Sequence, residues 1–237
     1  MTGTSVALKN RLRSFLGEDS REWRLLHRAR VELQRVLPPK LEPAISIEEW
    51  ERLGNPAPPP HAVKERIVEA YARASAIRTL IETGTYTGEM ISAVKDRFDA
   101  VVTIELSKRL ARRARRRFRS FPQIRVLQGD SARVLEDLLP RVSSRCLFWL
   151  DSHYSSGITA LGEAATPVMR ELELILSHRI ESHVILVDDA RLFTGVGGFP
   201  AIDEIRQLVS GLQSSQDFSV RNDVIRIHPG PPIVSDF

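Results

Sequence analysis

The sequence predicts an α/β protein with a mostly parallel, doubly wound sheet that is preceded by a helical N-terminal extension. Three observations carry this prediction. Apolar runs alternate with helical patterns, most of those runs end in a carboxylate, and a proline-rich connector stands before the first of them. Strands that alternate with helices are typical of parallel sheets, because each crossover between parallel strands needs a long connection that is usually helical.

Seven apolar runs are predicted to be strands. In chain order they are TLIETG, AVVTIEL, IRVLQGD, CLFWLD, HVILVDD, FSVRN and DVIRIHP. Helical patterns separate the first five runs, and a further helix, PAIDEIRQLVSGL, precedes the last two. We therefore expect a seven-stranded, mostly parallel sheet in which DVIRIHP supplies an antiparallel last strand.

The first sixty residues have a different pattern from the rest of the chain. Residues 21–37, REWRLLHRARVELQRVL, place Trp23 and several aliphatic residues near one helical face, and SIEEWERL suggests a second, short helix. The segment GNPAPPPH that follows is a stiff connector. We predict a helical extension over residues 1–60 and a core domain over residues 61–237. We expect Trp23 and Trp50 to give the extension contact area for a second subunit or for covering the acceptor site; binding to an anionic membrane surface is the alternative.

Composition narrows the class of protein. With 42% hydrophobic and 27% charged residues, the 237-residue chain is an ordinary globular protein. Cys146, its single cysteine, excludes an intrachain disulfide, and the apolar run around it indicates a buried, unreactive thiol. No stretch approaches the roughly 20 apolar residues that span a bilayer. The N-terminus also lacks the apolar core of a signal peptide, so we expect a cytoplasmic protein.

Five of the predicted strands end in acidic side chains. These are Glu82, Glu105, Asp130, Asp151 and the Asp188–Asp189 pair. In an open α/β sheet, ligands bind outside the carboxyl ends of the strands, where acids repel one another unless they meet donors or cations. We expect a ligand site at this edge. The alternative is that each acid only caps the next helix, which for Asp130 before SARVLEDLL would be sufficient.

From roughly Thr79 to His228, this arrangement resembles the class I S-adenosylmethionine-dependent methyltransferases. The members of that family have a Rossmann-like fold. The segment ETGTYTG is similar to that family's first motif, in which an acid is followed by glycines around a tight turn. The resemblance implies that Glu82 lies near the amino group of the cofactor and that Glu105 binds its ribose hydroxyls. The cofactor-binding residues implied in this way are Glu82, Thr83, Gly84, Thr85, Tyr86, Gly88, Glu105, Asp130 and Ser131.

The segments FWLDSHY and VILVDDARLF follow strands that should be neighbours, so Asp151, Asp188 and Asp189 are expected to converge. Three carboxylates suit a hard cation such as Mg²⁺. The pattern is similar to the metal-dependent O-methyltransferases of the catechol and macrolide-sugar types. That resemblance implies a metal that binds the acceptor hydroxyl and lowers its pKa. The alternative is an Asp151 that binds no metal and an Asp188 that only supports a loop.

His153 and Asp151 are the candidate catalytic residues. The catechol type carries a lysine base where this sequence has Tyr154, and His153 is a possible general base because its ordinary pKa lies near neutrality. The alternative is a histidine that packs against Asp151 or orients it. These residues predict O-methylation of a hydroxyl on a small molecule, a sugar or a secondary metabolite, with S-adenosylmethionine and a divalent metal.

Three other functions stay open at this point. A dinucleotide oxidoreductase is disfavoured because GTYTGEM contains no G-x-G-x-x-G and because Glu82 would repel a pyrophosphate. A nucleic-acid methyltransferase is disfavoured because the basic segment SKRLARRARRRFR also carries an apolar stripe of Leu110, Ala114 and Phe118, which is typical of a helix on the outside of a sheet. A non-catalytic protein that keeps the fold and binds the cofactor is the third.

Overall fold

The protein is built on a seven-stranded sheet in the computed structural model, which describes residues 45–152 and 166–230. The strands are β1 (Thr79–Thr83), β2 (Ala100–Glu105), β3 (Ile124–Gln128), β4 (Leu147–Leu150), β5 (Val184–Val187), β6 (Gln216–Arg221) and β7 (Val224–Pro229). Their order is β3-β2-β1-β4-β5-β7-β6. The first five strands are parallel, and β7 runs antiparallel to both β5 and β6. The predicted mixed sheet with an antiparallel DVIRIHP strand is confirmed.

Helices connect the strands as the sequence patterns predict. They are α1 (Ile47–Arg52), α2 (His61–Ala74), α3 (Glu89–Val94), α4 (Lys108–Arg117), α5 (Ser131–Leu138), α6 (Val168–Leu176) and α7 (Ile202–Leu212). The N-cap residues immediately before α1, α4 and α5 are Ser46, Ser107 and Asp130. Each side chain accepts a hydrogen bond from a backbone N–H of the first turn. The basic segment is therefore the surface helix α4, whose Leu110, Ala111 and Ala114 are buried.

Two hydrophobic clusters cover the two faces of the sheet. Side chains alternate between the faces along a strand. In β4, Trp149 accordingly lies in the cluster formed with α1 to α4, whereas Phe148 lies in the cluster formed with α5, α6 and α7. Both aromatic side chains are almost fully buried. The result is the three-layered α/β/α arrangement that buries a parallel sheet on both sides.

Helix α1 packs on the core, although the sequence predicts it as part of the N-terminal extension. Ile47 and Trp50 belong to the first hydrophobic cluster, and the Trp50 indole N–H donates to the Pro56 carbonyl at 2.8 Å. Residues 1–44, with the predicted helix over residues 21–37, lie outside the described residues. The division into an extension over residues 1–60 and a core over residues 61–237 stays a prediction.

Two further expectations from the sequence concern the single cysteine and the absence of membrane-spanning segments. Cys146 is buried, and burial raises the pKa of its thiol to about 12, which makes it a poor nucleophile at neutral pH. Across residues 45–152 and 166–230, none of the helices has the length and apolar character needed to cross a membrane.

The turn after β1 packs directly on the end of β4. Gly84 has a φ of +87°, and a Cβ added to it would lie 2.7 Å from the carbonyl carbon of Asp151 and closer still to the carbonyl oxygen. Gly88, with a φ of +78°, lies against the ring of Phe118, which a Cβ would meet at 2.8 Å. Both positions therefore need glycine, for the left-handed backbone and for the close approach.

A chain of hydrogen bonds joins two histidines at the amino end of the sheet. The Cys146 N–H donates to His183 Nδ1 at 3.0 Å, so the His183 proton lies on Nε2, which donates to His178 Nδ1 at 2.9 Å. His178 Nε2 in turn donates to the Leu139 carbonyl at 3.0 Å. Burial and, to a smaller extent, the neighbouring His178 lower the pKa of His183 to about 4.

Replacing Gly84 by alanine should destabilise the fold by more than about 2 kcal/mol, because strain at φ and a backbone collision add together. Gly211→Ala is the matched control, since Gly211 lies in α7 with nothing near its missing Cβ. That change should raise stability by about 0.5–1 kcal/mol. Urea unfolding of both variants checks the prediction, and equal effects would contradict it.

The histidine pair should make the fold sensitive to acid. The folded-state pKa of His183, about 4, lies below its ordinary value of 6.5, so the unfolded chain binds the proton first as pH falls. The stabilisation is complete above pH 6.5 and is lost between pH 6.5 and 4, by at most about 3 kcal/mol.

Urea unfolding of the wild type and of His183→Asn between pH 7 and 4 tests this dependence. The difference in unfolding free energy between the two proteins should shrink as pH falls. A constant difference for His183→Asn would contradict the prediction.

Candidate active site

Glu82 lies within β1 and is almost completely buried, with 2% of its surface exposed. Thr103, its partner on β2, donates its hydroxyl to Glu82 Oε2 at 2.5 Å. The hydroxyl of Thr85, in the turn after β1, lies 2.5 Å from that of Thr103. The predicted cofactor residues Glu82 and Thr85 are thus joined through Thr103, which the sequence did not single out.

The pKa of Glu82 is raised to about 8, mainly by burial and to a smaller extent by repulsion from Glu105. The hydrogen bond from Thr103 offsets part of this increase. At neutral pH the carboxyl group is therefore mostly protonated when no ligand is bound. A cation placed beside it would favour the ionised form.

The Glu105 carboxylate is oriented by two backbone donors from different loops. Its Oε2 accepts the Tyr86 N–H and its Oε1 accepts the Ser107 N–H, both at 2.8 Å. Burial raises the pKa of Glu105, and the two N–H groups lower it in part. Each carboxylate oxygen has a second lone pair, so the group can still accept two hydrogen bonds from a ligand.

Asp130 caps the helix that follows it, as the sequence suggests. Its Oδ1 accepts the Arg133 N–H at 3.2 Å, and Ser131, the first residue of α5, is buried. Capping uses one side of one carboxylate oxygen. The predicted contact of Asp130 and Ser131 with an adenine stays a prediction.

Glu171, on α6, is a fully buried carboxyl group that the sequence did not single out. The Ser152 hydroxyl donates to its Oε1 at 2.6 Å and accepts the Thr83 hydroxyl at 3.2 Å. Burial raises the pKa of Glu171 to about 7, while the hydroxyls of Ser131, Ser152 and Thr83 lower it in part. Glu171 therefore connects residues at or just beyond the carboxyl ends of β1, β3 and β4.

The three predicted metal ligands come together at the ends of β4 and β5. One carboxylate oxygen from each of Asp151, Asp188 and Asp189 lies within 4.8 Å of the other two. Leu150 and Val187, the last residues of β4 and β5, are paired in the sheet, which explains the convergence. We call these three residues the acidic cluster. Its geometry was predicted from the sequence, whereas its role as a metal site stays a prediction.

Lys64, on α2, places its ammonium group on the acidic cluster. Its Nζ lies 2.6 Å from Asp188 Oδ2 and 3.1 Å from Asp189 Oδ1. Burial lowers the pKa of Lys64, but the carboxylates of Asp188, Asp189 and Asp151 outweigh burial, so the pKa is raised. Lys64 is therefore charged at neutral pH. The acids meet a cation that belongs to the protein itself.

Arg191 closes the other side of the cluster. Its Nη1 lies 2.7 Å from Asp189 Oδ1 and also pairs with the buried carboxylate of Asp223. The Arg191 backbone N–H donates to Asp223 Oδ1 at 2.8 Å. Asp189 itself has a left-handed backbone, with a φ of +58°, and its N–H donates to Asp188 Oδ1 at 2.7 Å. The turn after β5 is held by these contacts.

His153 and Tyr154 lie outside the described residues, so the predicted general base stays untested. Several residues of the site escaped the sequence prediction, among them Lys64 and Glu171. Lys64 lies in an ordinary amphipathic pattern, and Glu171 is a charged residue within another. The one local signal for Glu171 is that its position follows the apolar spacing of Val168, Leu172 and Ile175, which places it on the buried face of α6.

Comparisons with solved structures identify the architecture. An O-methyltransferase from Bacillus cereus in complex with SAH is 14% identical, with a TM-score of 0.53, covering 85% of this chain and 99% of that one. TomG, an O-methyltransferase from Streptomyces achromogenes in complex with SAM, is 15% identical, with a TM-score of 0.52, covering 85% and 96%. The SAH-bound methyltransferase PaMTH1 from Podospora anserina is 14% identical, with a TM-score of 0.50, covering 98% and 97%.

No protein-family model and no curated protein matches the sequence. At identities of 14–15%, the likeness to solved structures establishes the fold. The strand order, the antiparallel β7 and the three layers agree with it. The chain has the Rossmann-like fold of the S-adenosylmethionine-dependent O-methyltransferases.

Proposed function

We propose that the protein is an S-adenosylmethionine-dependent methyltransferase that transfers a methyl group to a hydroxyl of a small molecule. One observation carries the proposal. Glu82, Glu105 and Asp130 stand on three adjacent strands or at their ends, at one edge of the sheet, beside a glycine turn that approaches the end of β4. In open α/β folds this edge is where ligands bind.

The residues at this edge fit the proposed cofactor. Glu105 is held by two backbone N–H groups and keeps lone pairs on both oxygens, which suits the two hydroxyls of a ribose. Glu82 becomes an anion beside a positive charge and suits the amino group of the methionine portion. A protonated Glu82 also donates a hydrogen bond, so the site tolerates the uncharged state before binding.

The reaction requires an acceptor hydroxyl close to the acidic cluster. The cofactor supplies an electrophilic methyl group on a sulfonium. The acceptor oxygen must lose its proton and form the new carbon–oxygen bond as the sulfur keeps the electron pair of the bond that breaks. We propose His153 as the group that takes the proton, with Asp151 as the second catalytic residue, as the sequence predicts.

A divalent cation, when bound, would lower the pKa of the acceptor hydroxyl. Three carboxylate oxygens within 4.8 Å fit the ligand preference of Mg²⁺ or Mn²⁺. The cluster is nevertheless already paired with Lys64. We therefore propose that Asp151, Asp188 and Asp189 would be the metal ligands and that the Lys64 side chain would move when a metal binds.

The remaining expectations about partners are proposals as well. They are a hydroxylated small-molecule acceptor, no nucleic acid, a cytoplasmic location and association of subunits through the N-terminal helices. Measurements of ligand binding and of turnover distinguish the proposed function from its alternatives. Binding of NAD without S-adenosylmethionine would indicate an oxidoreductase, and cofactor binding without turnover on any hydroxylated acceptor would indicate a non-catalytic protein.

Cofactor binding should release a proton from Glu82. Its pKa of about 8 in the free protein falls when the positively charged cofactor binds, so affinity should rise with pH while the amino group of the cofactor stays protonated. Calorimetry at pH 7 in buffers of different ionisation enthalpy measures the released proton. S-adenosylhomocysteine, which keeps the amino group, should behave in the same way.

Glu82→Gln should abolish both the proton release and the rise of affinity with pH. Glu173→Gln, which changes a half-exposed glutamate of α6, is the matched control and should leave both unchanged. Proton release that persists in Glu82→Gln would show that another group titrates. Absence of any heat with either ligand would overturn the proposed cofactor.

Asp188→Asn should lower methyl transfer at least about tenfold if the cluster holds a cation, because the amide is a weaker ligand without a charge. The amide oxygen can still accept the Asp189 N–H. Turnover is measured with radiolabelled cofactor on a panel of hydroxylated acceptors, before and after chelation. The exposed Asp203→Asn is the control. Full activity after chelation would contradict the proposed metal assistance but not the proposed methyltransferase activity.

A further inference from the structure

Lys64 reaches the acidic cluster from a distant part of the chain. It lies in the first turn of α2, 124 residues before Asp188 and 125 before Asp189, and its side chain is only 12% exposed. Buried lysines are uncommon unless they are paired. The position of this ammonium group is therefore a specific feature of the fold.

Packing of α2 fixes where Lys64 points. Val63, Ile67, Val68 and Tyr71, on the same helix, are buried in the first hydrophobic cluster. The helix cannot rotate without exposing them, so Lys64 stays beside the ends of β4 and β5. The long aliphatic part of the side chain still allows the ammonium group itself to swing away.

Two cations of the protein contact the cluster. Arg191 is shared between Asp189 and the buried Asp223. Lys64 contacts Asp188 and Asp189, the two most buried carboxylates of the cluster. Carboxylates grouped in this way suit a divalent cation, yet these two already bind Lys64.

We propose that Lys64 is the resident cation of the acidic cluster, and that a divalent cation binds Asp188 and Asp189 only by displacing its ammonium group. Octahedral Mg²⁺ or Mn²⁺ needs carboxylate oxygens at about 2.1 Å. The ammonium lies 2.6 Å from Asp188 Oδ2 and 3.1 Å from Asp189 Oδ1, so it already occupies one oxygen of each carboxylate. A second cation bound to the same two buried carboxylates would be repelled by the ammonium group.

The competition between Lys64 and a divalent cation for Asp188 and Asp189 follows from their contacts alone. Its consequence for catalysis rests on the proposed function, since only then does the cluster face an acceptor hydroxyl. Where Lys64 remains in place, its ammonium group supplies the positive charge beside that hydroxyl. Lys64 is then a positioning residue that keeps Asp188 and Asp189 fixed.

Removing the charge of Lys64 should create a tighter metal site. Lys64→Met should bind Mn²⁺ about tenfold or more tightly than the wild type, and its melting temperature should rise more on addition of Mn²⁺. Lys64→Arg keeps the charge and should bind Mn²⁺ as weakly as the wild type. Calorimetric titration with MnCl₂ and thermal unfolding measure both effects on the full chain.

Lys95→Met is the matched control, because Lys95 is 19% exposed and pairs with a surface aspartate away from the cluster. It should leave Mn²⁺ binding unchanged. If Lys64→Met fails to fold, Lys64→Gln, which can still hydrogen-bond the carboxylates, takes its place. Binding of S-adenosylhomocysteine is measured in the same samples and reports on the proposed function separately.

Equal Mn²⁺ affinity in the wild type, Lys64→Met and Lys64→Gln would overturn the proposal. So would a Lys64→Arg protein that binds Mn²⁺ as tightly as Lys64→Met, since the charge would then be irrelevant. If the wild type does not bind S-adenosylhomocysteine but Lys64→Met changes Mn²⁺ affinity as predicted, the competition between Lys64 and the metal is supported. The proposed cofactor is then wrong.

Discussion

Parallel strands impose the constraint on which the whole site depends, because their carboxyl ends all lie at one edge of the sheet. Neighbouring strands are about 4.8 Å apart, so side chains at successive strand ends are within reach of one another. In this protein the constraint gathers acids from β1, β2, β4 and β5 and from the turn after β3. An arrangement that concentrates negative charge in this way must be balanced locally.

The fold balances each acid by a different physical means. Glu82 is kept neutral by burial, and Glu105 is stabilised as an anion by two backbone N–H groups. Asp130 is held at a helix N-terminus, where the first-turn N–H groups and the helix dipole favour a negative charge. Asp188 and Asp189 receive the ammonium group of Lys64. The half of the edge at β1, β2 and β3 therefore relies on backbone donors and burial, whereas the half at β4 and β5 relies on ion pairs.

This difference has a consequence for the chemistry of the two halves. Buried neutral groups and backbone donors are fixed by the fold, so the region around Glu82 and Glu105 is preorganised for one ligand. An ion pair made by a flexible lysine can open when another cation or a substrate arrives. Glu171 joins the two halves, since it connects the hydroxyls that follow β1 and β4 and begin α5.

Local patterns in the sequence were sufficient for the architecture. The continuous apolar run of β4 and the period of 3.6 in α6 are set by neighbours along the chain, and the acids at the strand ends follow from strand boundaries. This is why the antiparallel β7, the convergence of Asp151 with Asp188 and Asp189, and the capping by Asp130 could all be predicted.

Only the tertiary structure decided how those acids are paired. Lys64 and Asp188 are 124 residues apart, and no local pattern distinguishes this lysine from a solvated one on an amphipathic helix. Glu171 and Thr103 likewise acquire partners from other elements of the fold. The sequence by itself determined which elements form and which edge carries the acids, because both depend on short-range periodicity. The protonation and pairing of those acids depend on burial and on contacts between distant elements, which only the packed fold defines.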